Sequence, residues 1–464
     1  MNQLSLETHV QSALAARVKP GACLVVGLSG GLDSVVLLHL LDRLCPRLDF
    51  QLSAIHVNHQ ISPHAADWVE FCRILCAARQ IPLTVETVAV ARDSGLGLEA
   101  AARTARHEVF ARCGADFVVL AHHQDDQAET LLLRLLRGTG VQGAGAIREV
   151  SPIWITHPHQ IQDQSPGPTV LRPLLEVQRA QLLAYAQHQG LAWIEDESNL
   201  SVKYRRNFIR HHVAPLLEQA FPAYRDNLSR AAKHFAEAAS LLTELAQHDA
   251  LTALYDGKLA ATRLAELSPA RAANLLRYYF ASEGLPMPDE DRLREMLRQL
   301  TQASPDADIC MVHAGREIHR FQGQVQVVDA RFAPDPTLCL EWRGEHPWRI
   351  EALAGTVRFA AQPGAGIDAG KLAAAPVTLR LRRGGEHFRP SCHRPRRSLK
   401  NLLQEAHIPP WRRDCLPLLF CGEQLVWVPG IGIECCFQCV PGSPGWGLTW
   451  DADVEPGFLD HAEP

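Results

Sequence analysis

The hexapeptide Ser29-Gly30-Gly31-Leu32-Asp33-Ser34 combines two adjacent glycines, two hydroxyls and one carboxylate. Adjacent glycines let backbone N–H groups approach an anion closely, and a helix starting behind them adds a favourable dipole. Ser29 and Ser34 can donate to phosphate oxygens. Asp33 would repel a phosphate unless a cation stood between them, which points to Mg²⁺. The loop is not a Walker A sequence, because G-x-x-x-x-G-K-[ST] does not occur there. The same residues also suit a plain Gly-Gly turn with a Ser/Asp helix cap.

A second stretch runs Ala121-His122-His123-Gln124-Asp125-Asp126-Gln127-Ala128-Glu129-Thr130. Asp126 and Glu129 are three apart and share a face if the segment is helical. Two such carboxylates can hold an amine and take its proton, which an amine with a pKa of about 10.4 must lose before it attacks. His-His-x-Asp-Asp equally offers metal ligands, and Asp125 and Asp126 would also suit an ordinary helix start. Arg206 and Arg210, spaced i, i+4, form a basic cluster with Lys203 and Arg205. Their planar donor forks match phosphate, although a solvated, salt-bridged helix reads the same way.

The elements that must position these residues alternate. Ala22–Leu28 is a short apolar run of the kind that forms a buried parallel strand, and Asp33–Cys45 has helical spacing. Leu52–His59, Pro82–Val90 and Phe117–His122 read as further strands, with helices over Pro63–Arg79, Leu98–Arg112 and Asp125–Arg137 between and after them. This βαβα order predicts an α/β fold with a doubly wound parallel sheet, whose ligands sit beyond the strand C-termini. The hexapeptide, His56-Val57-Asn58-His59 at the end of the second strand and the Ala121–Thr130 stretch all fall at such ends. Ser151–Pro168 reads as a surface insertion. Leu171–Leu175, a helix over Val177–His188 and Trp193–Asn199 complete the first domain. Helices follow over Asn227–Leu254, Pro269–Ser282 and Asp289–Gln302, and strand-like segments return from Glu317 to Val328. The expected division is 1–215 (catalytic), 216–330 (mainly helical), 331–375 (linker and strands), 376–450 (a small, basic, mixed α+β domain) and 451–464 (acidic tail).

At 464 residues the chain is too long for one core. A hydrophobic share of 47% and a charged share of 21% describe an ordinary globular protein. No membrane span is expected, and the polar first twenty residues lack the apolar core of a signal peptide. A soluble cytoplasmic protein is the expectation. Thirteen cysteines without a secretion signal read as buried thiols rather than a disulfide framework, with Cys435, Cys436 and Cys439 the group to watch for a metal. The net charge of −5 argues against nucleic acid, but ten Arg or Lys face three acidic residues between Arg380 and Asp414. Such a local basic surface can hold a phosphate backbone.

Strand, hexapeptide and helix together resemble the SGGxDS signature of the PP-loop ATP pyrophosphatases, which cleave ATP between the α and β phosphates. Within that superfamily, AHHxDDQAET followed by Arg137-Gly138-Thr139-Gly140 resembles the tRNA(Ile)-lysidine synthetase family. So do Leu171-Arg172-Pro173-Leu174-Leu175, Trp193-Ile194-Glu195-Asp196-Glu197-Ser198-Asn199 and Arg206-Asn207-Phe208-Ile209-Arg210, and, less locally, Pro409-Pro410-Trp411-Arg412-Arg413-Asp414. The resemblance spans most of the chain and is weakest over 330–375. It implies an adenine nucleotide α-hydrolase-like first domain and an ATP- and Mg²⁺-dependent ligase that joins L-lysine to the wobble cytidine of an isoleucine tRNA with a CAU anticodon. It implies Asp33, Asp126, Glu129 and Arg206 as catalytic residues. ATP would sit on Ser29, Gly30, Gly31, Leu32, Asp33, Ser34 and His56, with Mg²⁺ on Asp33. Lysine would sit on Asp126 and Glu129. Arg206, Arg210, Arg382, Arg383, Arg396, Arg397, Lys400, Arg412 and Arg413 would contact tRNA. Gln60 stands where family members often carry Gly, which puts the loop after His59 in question. A tRNA thiolase and a non-catalytic RNA-binding protein are the rival readings. The first suffers from the lack of a paired C-x-x-C in the first 215 residues, the second from intact Asp33, Asp126 and Glu129. Oligomeric state is left open, a homodimer included.

Overall fold

The computed structural model describes residues 3–90, 98–154, 166–197, 205–304, 307, 309–329 and 335–452. They divide into two compact units, Met1–Leu245 and Ala246–Pro464. Lys203, Ser198, Asn199 and the tail beyond Ala452 lie outside the described residues.

The first unit runs α1 (Gln3–Ala15), β1 (Cys23–Gly27), α2 (Leu32–Leu48), β2 (Gln51–Asn58), α3 (Ala65–Ala77), β3 (Leu83–Thr87), α4 (Leu98–Ala111), β4 (Phe117–Val119), α5 (Gln124–Leu135), α6 (Val141–Ala144), β5 (Val150–Trp154), β6 (Pro166–Leu171) and α7 (Arg179–His188). The sheet order is β3-β2-β1-β4-β6-β5. Five strands are parallel, and β5 closes the edge antiparallel to β6. Because strand side chains alternate, β1 serves two cores. Leu24 and Val26 pack with α2 and Tyr185 of α7, whereas Val25 packs with Ile55, Phe110 and Val118. Apolar runs buried on both faces are what a doubly wound sheet requires.

The expected surface insertion needs correction at both ends. Val150–Trp154 and Pro166–Leu171 are sheet strands. Pairing of β6 with β4 begins at Thr169, so Pro166 and Pro168 precede that ladder and cost it no hydrogen bond.

A buried histidine gives this core a pH dependence. His39 on α2 is 9% exposed, with Nδ1 3.0 Å from the Tyr185 hydroxyl. Burial, aided by Arg79 and Arg43, lowers its pKa from 6.5 to about 4. The folded state therefore resists a proton that the unfolded chain accepts. Its contribution to stability is full above pH 6.5 and is lost as pH falls through about 4, amounting to at most about 3 kcal/mol. Melting temperatures between pH 7 and 4 should fall more steeply for the wild type than for His39→Gln.

After α7 come α8 (Arg205–Phe208), a π-helical turn (Ile209–Val213), α9 (Ala214–Ala220) and α10 (Tyr224–Ala253). The first half of α10 packs Ala232, Leu228 and Phe235 against Leu131, Ala144 and Ala146.

In the second unit, helices Pro269–Ser282 and Glu290–Gln302 bury Leu275, Leu276, Tyr279, Phe280, Leu293 and Met296 against a five-stranded sheet. Asp289 caps the second helix by accepting from Arg292 N at 2.8 Å. Strands join the helices of this module, since Ile309–His313, Arg316–Phe321 and Gln324–Asp329 form three of the sheet's strands. Residues 331–375, expected as linker and strands, contain paired strands. Cys339–Glu341 pairs with Val377–Arg380, and Gly355–Ala361 pairs with Gly445–Ala452. The described part of this stretch is thus built into the same two sheets as the basic segment. Cys392 and Cys435 form a disulfide, contrary to the expectation of unpaired thiols. Cys439 donates to the Ser443 carbonyl at 3.2 Å, so the suspected metal group does not converge. No helix among the described residues is long and apolar enough to cross a membrane.

Candidate active site

The turn from β1 into α2 is tied by its own serines. Ser34 Oγ donates to Gly31 O at 2.9 Å and accepts from Ser29 N at 3.2 Å, while the two hydroxyls lie 3.1 Å apart. Gly31 is the N-cap of α2. Gly30 has φ +86°, and its carbonyl accepts from Ile194 N at 2.9 Å. A Cβ on Gly30 would stand 2.8 Å from Ile194 Cδ1. Left-handed backbone costs a non-glycine residue about 1–2 kcal/mol. Gly30→Ala should therefore distort the loop and weaken ATP binding about tenfold or more, measured as Kd for a non-cleavable ATP analogue.

His56 lies beneath this loop rather than across it. Its ring is buried, with Nδ1 2.8 Å from Leu28 O. Burial lowers its pKa, so it stays neutral and steadies the strand end. Gln60 adopts φ +53° itself, with its N–H on Asn58 Oδ1 at 2.9 Å. The loop after His59 thus keeps a left-handed turn without glycine.

At the end of β4, His123 is the N-cap of α5 and Asp126 accepts from its backbone N–H at 3.1 Å. His123 Nε2 lies 3.5 Å from both Asp33 Oδ2 and Asp126 Oδ2. Burial alone would lower the His123 pKa, but Asp126 and Asp33 outweigh it and raise the value. Burial would raise Asp126, but the charges of His123 and Arg206 bring it down to about 2. Neighbouring His122 is pushed to about 3, chiefly by burial, and is neutral. Asp125 is otherwise engaged, accepting from Arg179 N at 2.9 Å and Arg225 Nε at 2.7 Å.

Asp126 and Glu129 are buried and converge on one pair of arginines. Arg206 donates to Asp126 Oδ1 at 2.6 Å and to Glu129 Oε2 at 2.7 Å. Arg210 donates to Glu129 at 2.6 and 3.0 Å. Asp33 Oδ1 is buried and accepts no hydrogen bond, its nearest cation being Arg179 Nε at 3.9 Å. An orphaned carboxylate oxygen beside an anion-binding loop fits a hard cation such as Mg²⁺.

Arg106 on α4 was not singled out from the sequence. Burial, then Arg103 and Arg206, lower its pKa, and its Nε is buried without a hydrogen-bond partner. The available signal was a pair of arginines, Arg103 and Arg106, set into the alanine-rich run Leu98–Ala111.

The basic residues of the second unit separate. Arg383, Arg396 and Lys400 are exposed. Arg397 is paired with Glu405, and Arg382 sits near Glu386 and Asp414. Arg412 is half-buried. Arg413 is buried, with Nε on Ile408 O at 2.7 Å, and braces its own loop instead of joining the exposed face.

The chain matches the models of a PP-loop domain over residues 3–217, a TilS substrate binding domain over 259–326 and a TilS substrate C-terminal domain over 377–450. It is 46% identical over 439 residues to a tRNA(Ile)-lysidine synthase of Nitrosomonas europaea, covering 94% of this chain and 93% of that one. The chain belongs to the tRNA(Ile)-lysidine synthase family. Other members include those of Azoarcus sp. (43% identical, 94% and 93% covered) and Aromatoleum aromaticum (42%, 94% and 99%). Family membership agrees with the thiols of the first unit. Burial pushes Cys72 to about 12 and Cys76 to about 11, which leaves them unsuited to the sulfur chemistry of a thiolase.

Proposed function

We propose that this chain is an ATP-dependent ligase that attaches lysine to C2 of the wobble cytidine in an isoleucine tRNA with a CAU anticodon. The observation that carries the reading is His123 Nε2, 3.5 Å from Asp33 of the phosphate loop and 3.5 Å from Asp126. One imidazole stands between a phosphate loop and a carboxylate that can hold an amine, as activation of O2 followed by attack at the adjoining C2 of one base requires.

In the first step the cytidine O2 attacks the α-phosphate of ATP and pyrophosphate leaves. In the second the lysine ε-amine attacks C2 and AMP leaves. Backbone N–H groups at Gly30 and Gly31 and the hydroxyls of Ser29 and Ser34 hold the phosphates. Asp33 would hold Mg²⁺, which neutralises phosphate charge when bound. Asp126 and Glu129 bind the ammonium, and one of them accepts its proton. Arg206 is in reach of charge developing on the α-phosphate. Exposed Arg383, Arg396 and Lys400 contact the tRNA backbone away from the chemistry. Substrates of this kind place the reaction in the cytoplasm.

The test is incorporation of labelled lysine into a CAU-anticodon isoleucine tRNA transcript with ATP and Mg²⁺. Incorporation with matching release of AMP and pyrophosphate supports the reading. Cleavage of ATP without incorporation would remove lysine as the nucleophile.

A further inference from the structure

The two carboxylates assigned to lysine are already saturated. Glu129, 5% exposed, accepts three hydrogen bonds from two guanidiniums. Asp126, 9% exposed, accepts one from Arg206 and lies 3.6 Å from Arg210 Nη2. Two negative charges thus face two positive ones, with His123 and Asp33 a second opposed pair beside them, so the charges are already balanced. A lysine ammonium added to them would bring an uncompensated charge into a buried place, which is costly. It enters readily only if a guanidinium leaves.

Arg210 is the better placed to leave. Arg206 grips both carboxylates at 2.6–2.7 Å, whereas Arg210 hydrogen-bonds only Glu129 and stands 3.6 Å from Asp126. Arg210 also lies in the π-helical turn Ile209–Val213 between two α-helical segments. Such a turn carries one extra residue in the helix and can shift register. Its side chain borders a cavity of about 360 Å³ that also reaches Asp125, Gln178, Glu218 and Tyr224, so there is room for displacement. A phosphate is the natural competitor, because a guanidinium binds it in the same forked geometry as a carboxylate.

We propose that Arg210 is a displaceable occupant of the amine site, drawn off by nucleotide phosphate, so that lysine binding is coupled to ATP binding. This rests on the reading of Asp126 and Glu129 as lysine ligands. The coupling orders the reaction: the amine site opens when the phosphates are in place, which keeps lysine from blocking an idle enzyme. By linkage, lysine and nucleotide must tighten each other's binding by one factor.

The experiment is calorimetric titration of the full chain with L-lysine, with and without Mg²⁺ and α,β-methylene ATP, for wild type, Arg210→Gln and Arg210→Lys. The wild type should bind lysine at least tenfold tighter with the analogue. Arg210→Gln should bind it at least tenfold tighter than wild type without nucleotide and gain under threefold from the analogue. Arg210→Lys, which keeps the charge, should retain part of the coupling. The reciprocal titration of wild type with the analogue, with and without lysine, needs no variant and guards against a misfolded one. Equal lysine affinity with and without the analogue in wild type overturns the proposal. So does an Arg210→Gln variant that folds and binds lysine no tighter. Labelled-lysine incorporation by the same wild-type preparation separates this failure from failure of the underlying reading.

Discussion

Glu129→Gln should reduce transfer of lysine to tRNA about 10³-fold while leaving tRNA-dependent release of pyrophosphate within about tenfold of wild type. Gln matches Glu in shape, so α5 and its packing survive. What goes is a buried negative charge, and breaking a buried charge pair costs about 3–5 kcal/mol, or about two to four decades if it falls on the rate. Asp126 does not substitute for it. Held at about 2, Asp126 is a fixed negative charge that binds an ammonium but takes its proton poorly. Proton removal then falls to Glu129. The two positions should separate kinetically: Asp126→Asn mainly raises KM for lysine, and Glu129→Gln mainly lowers kcat. Lysine-dependent AMP release and pyrophosphate release, measured on the same samples, check both. Equal loss of the two signals in Glu129→Gln would instead assign Glu129 to the nucleotide step.

The phosphate loop was legible in the sequence because it is local. Its glycines, serines and aspartate are consecutive, and the apolar run before them and the helical spacing after them say where the loop sits. Helix Pro269–Ser282 was legible for the same reason, with Ser268 and Pro269 marking its start. What the sequence concealed was pairing at a distance. Asp126 and Glu129 share a helix face, and Arg206 and Arg210 were expected to share another. Nothing in either spacing says that the two faces meet across 77 to 81 residues. Strands were expected within 331–375, but the partner of Gly355–Ala361 was hidden likewise, because Gly445–Ala452 lies some ninety residues on and strand propensity is set by such neighbours. Pro-rich 151–168 looked like a loop because the prolines advertise themselves, whereas burial of Val170 and Leu171 depends on β4. His56, which the resemblance assigns to ATP, commits its Nδ1 to Leu28 O, a pairing that its neighbours in sequence do not reveal.

Asp33→Asn tests the phosphate loop by the sign of its effect. A bare carboxylate beside a polyphosphate repels it, so removing the charge should tighten ATP binding and leave the rate no lower. If Asp33 serves as a ligand for Mg²⁺, the change has the opposite effect, because Asn is a far weaker partner for a hard cation. The buried, unpartnered Oδ1 favours the second outcome, since a carboxylate oxygen with no donor is costly unless a cation uses it. Pyrophosphate release by Asp33→Asn should therefore fall about 10²–10³-fold, as when one charge-stabilising group is lost from an active site. The Mg²⁺ concentration needed for half-maximal rate should rise with it. His123 sharpens the test, because its raised pKa depends partly on Asp33. Asn at 33 lets the imidazole lose its proton more readily and so leaves Asp126 less well compensated. A folded Asp33→Asn chain that releases pyrophosphate at the wild-type rate would remove the cation from this position and leave phosphate binding to the backbone and serines alone.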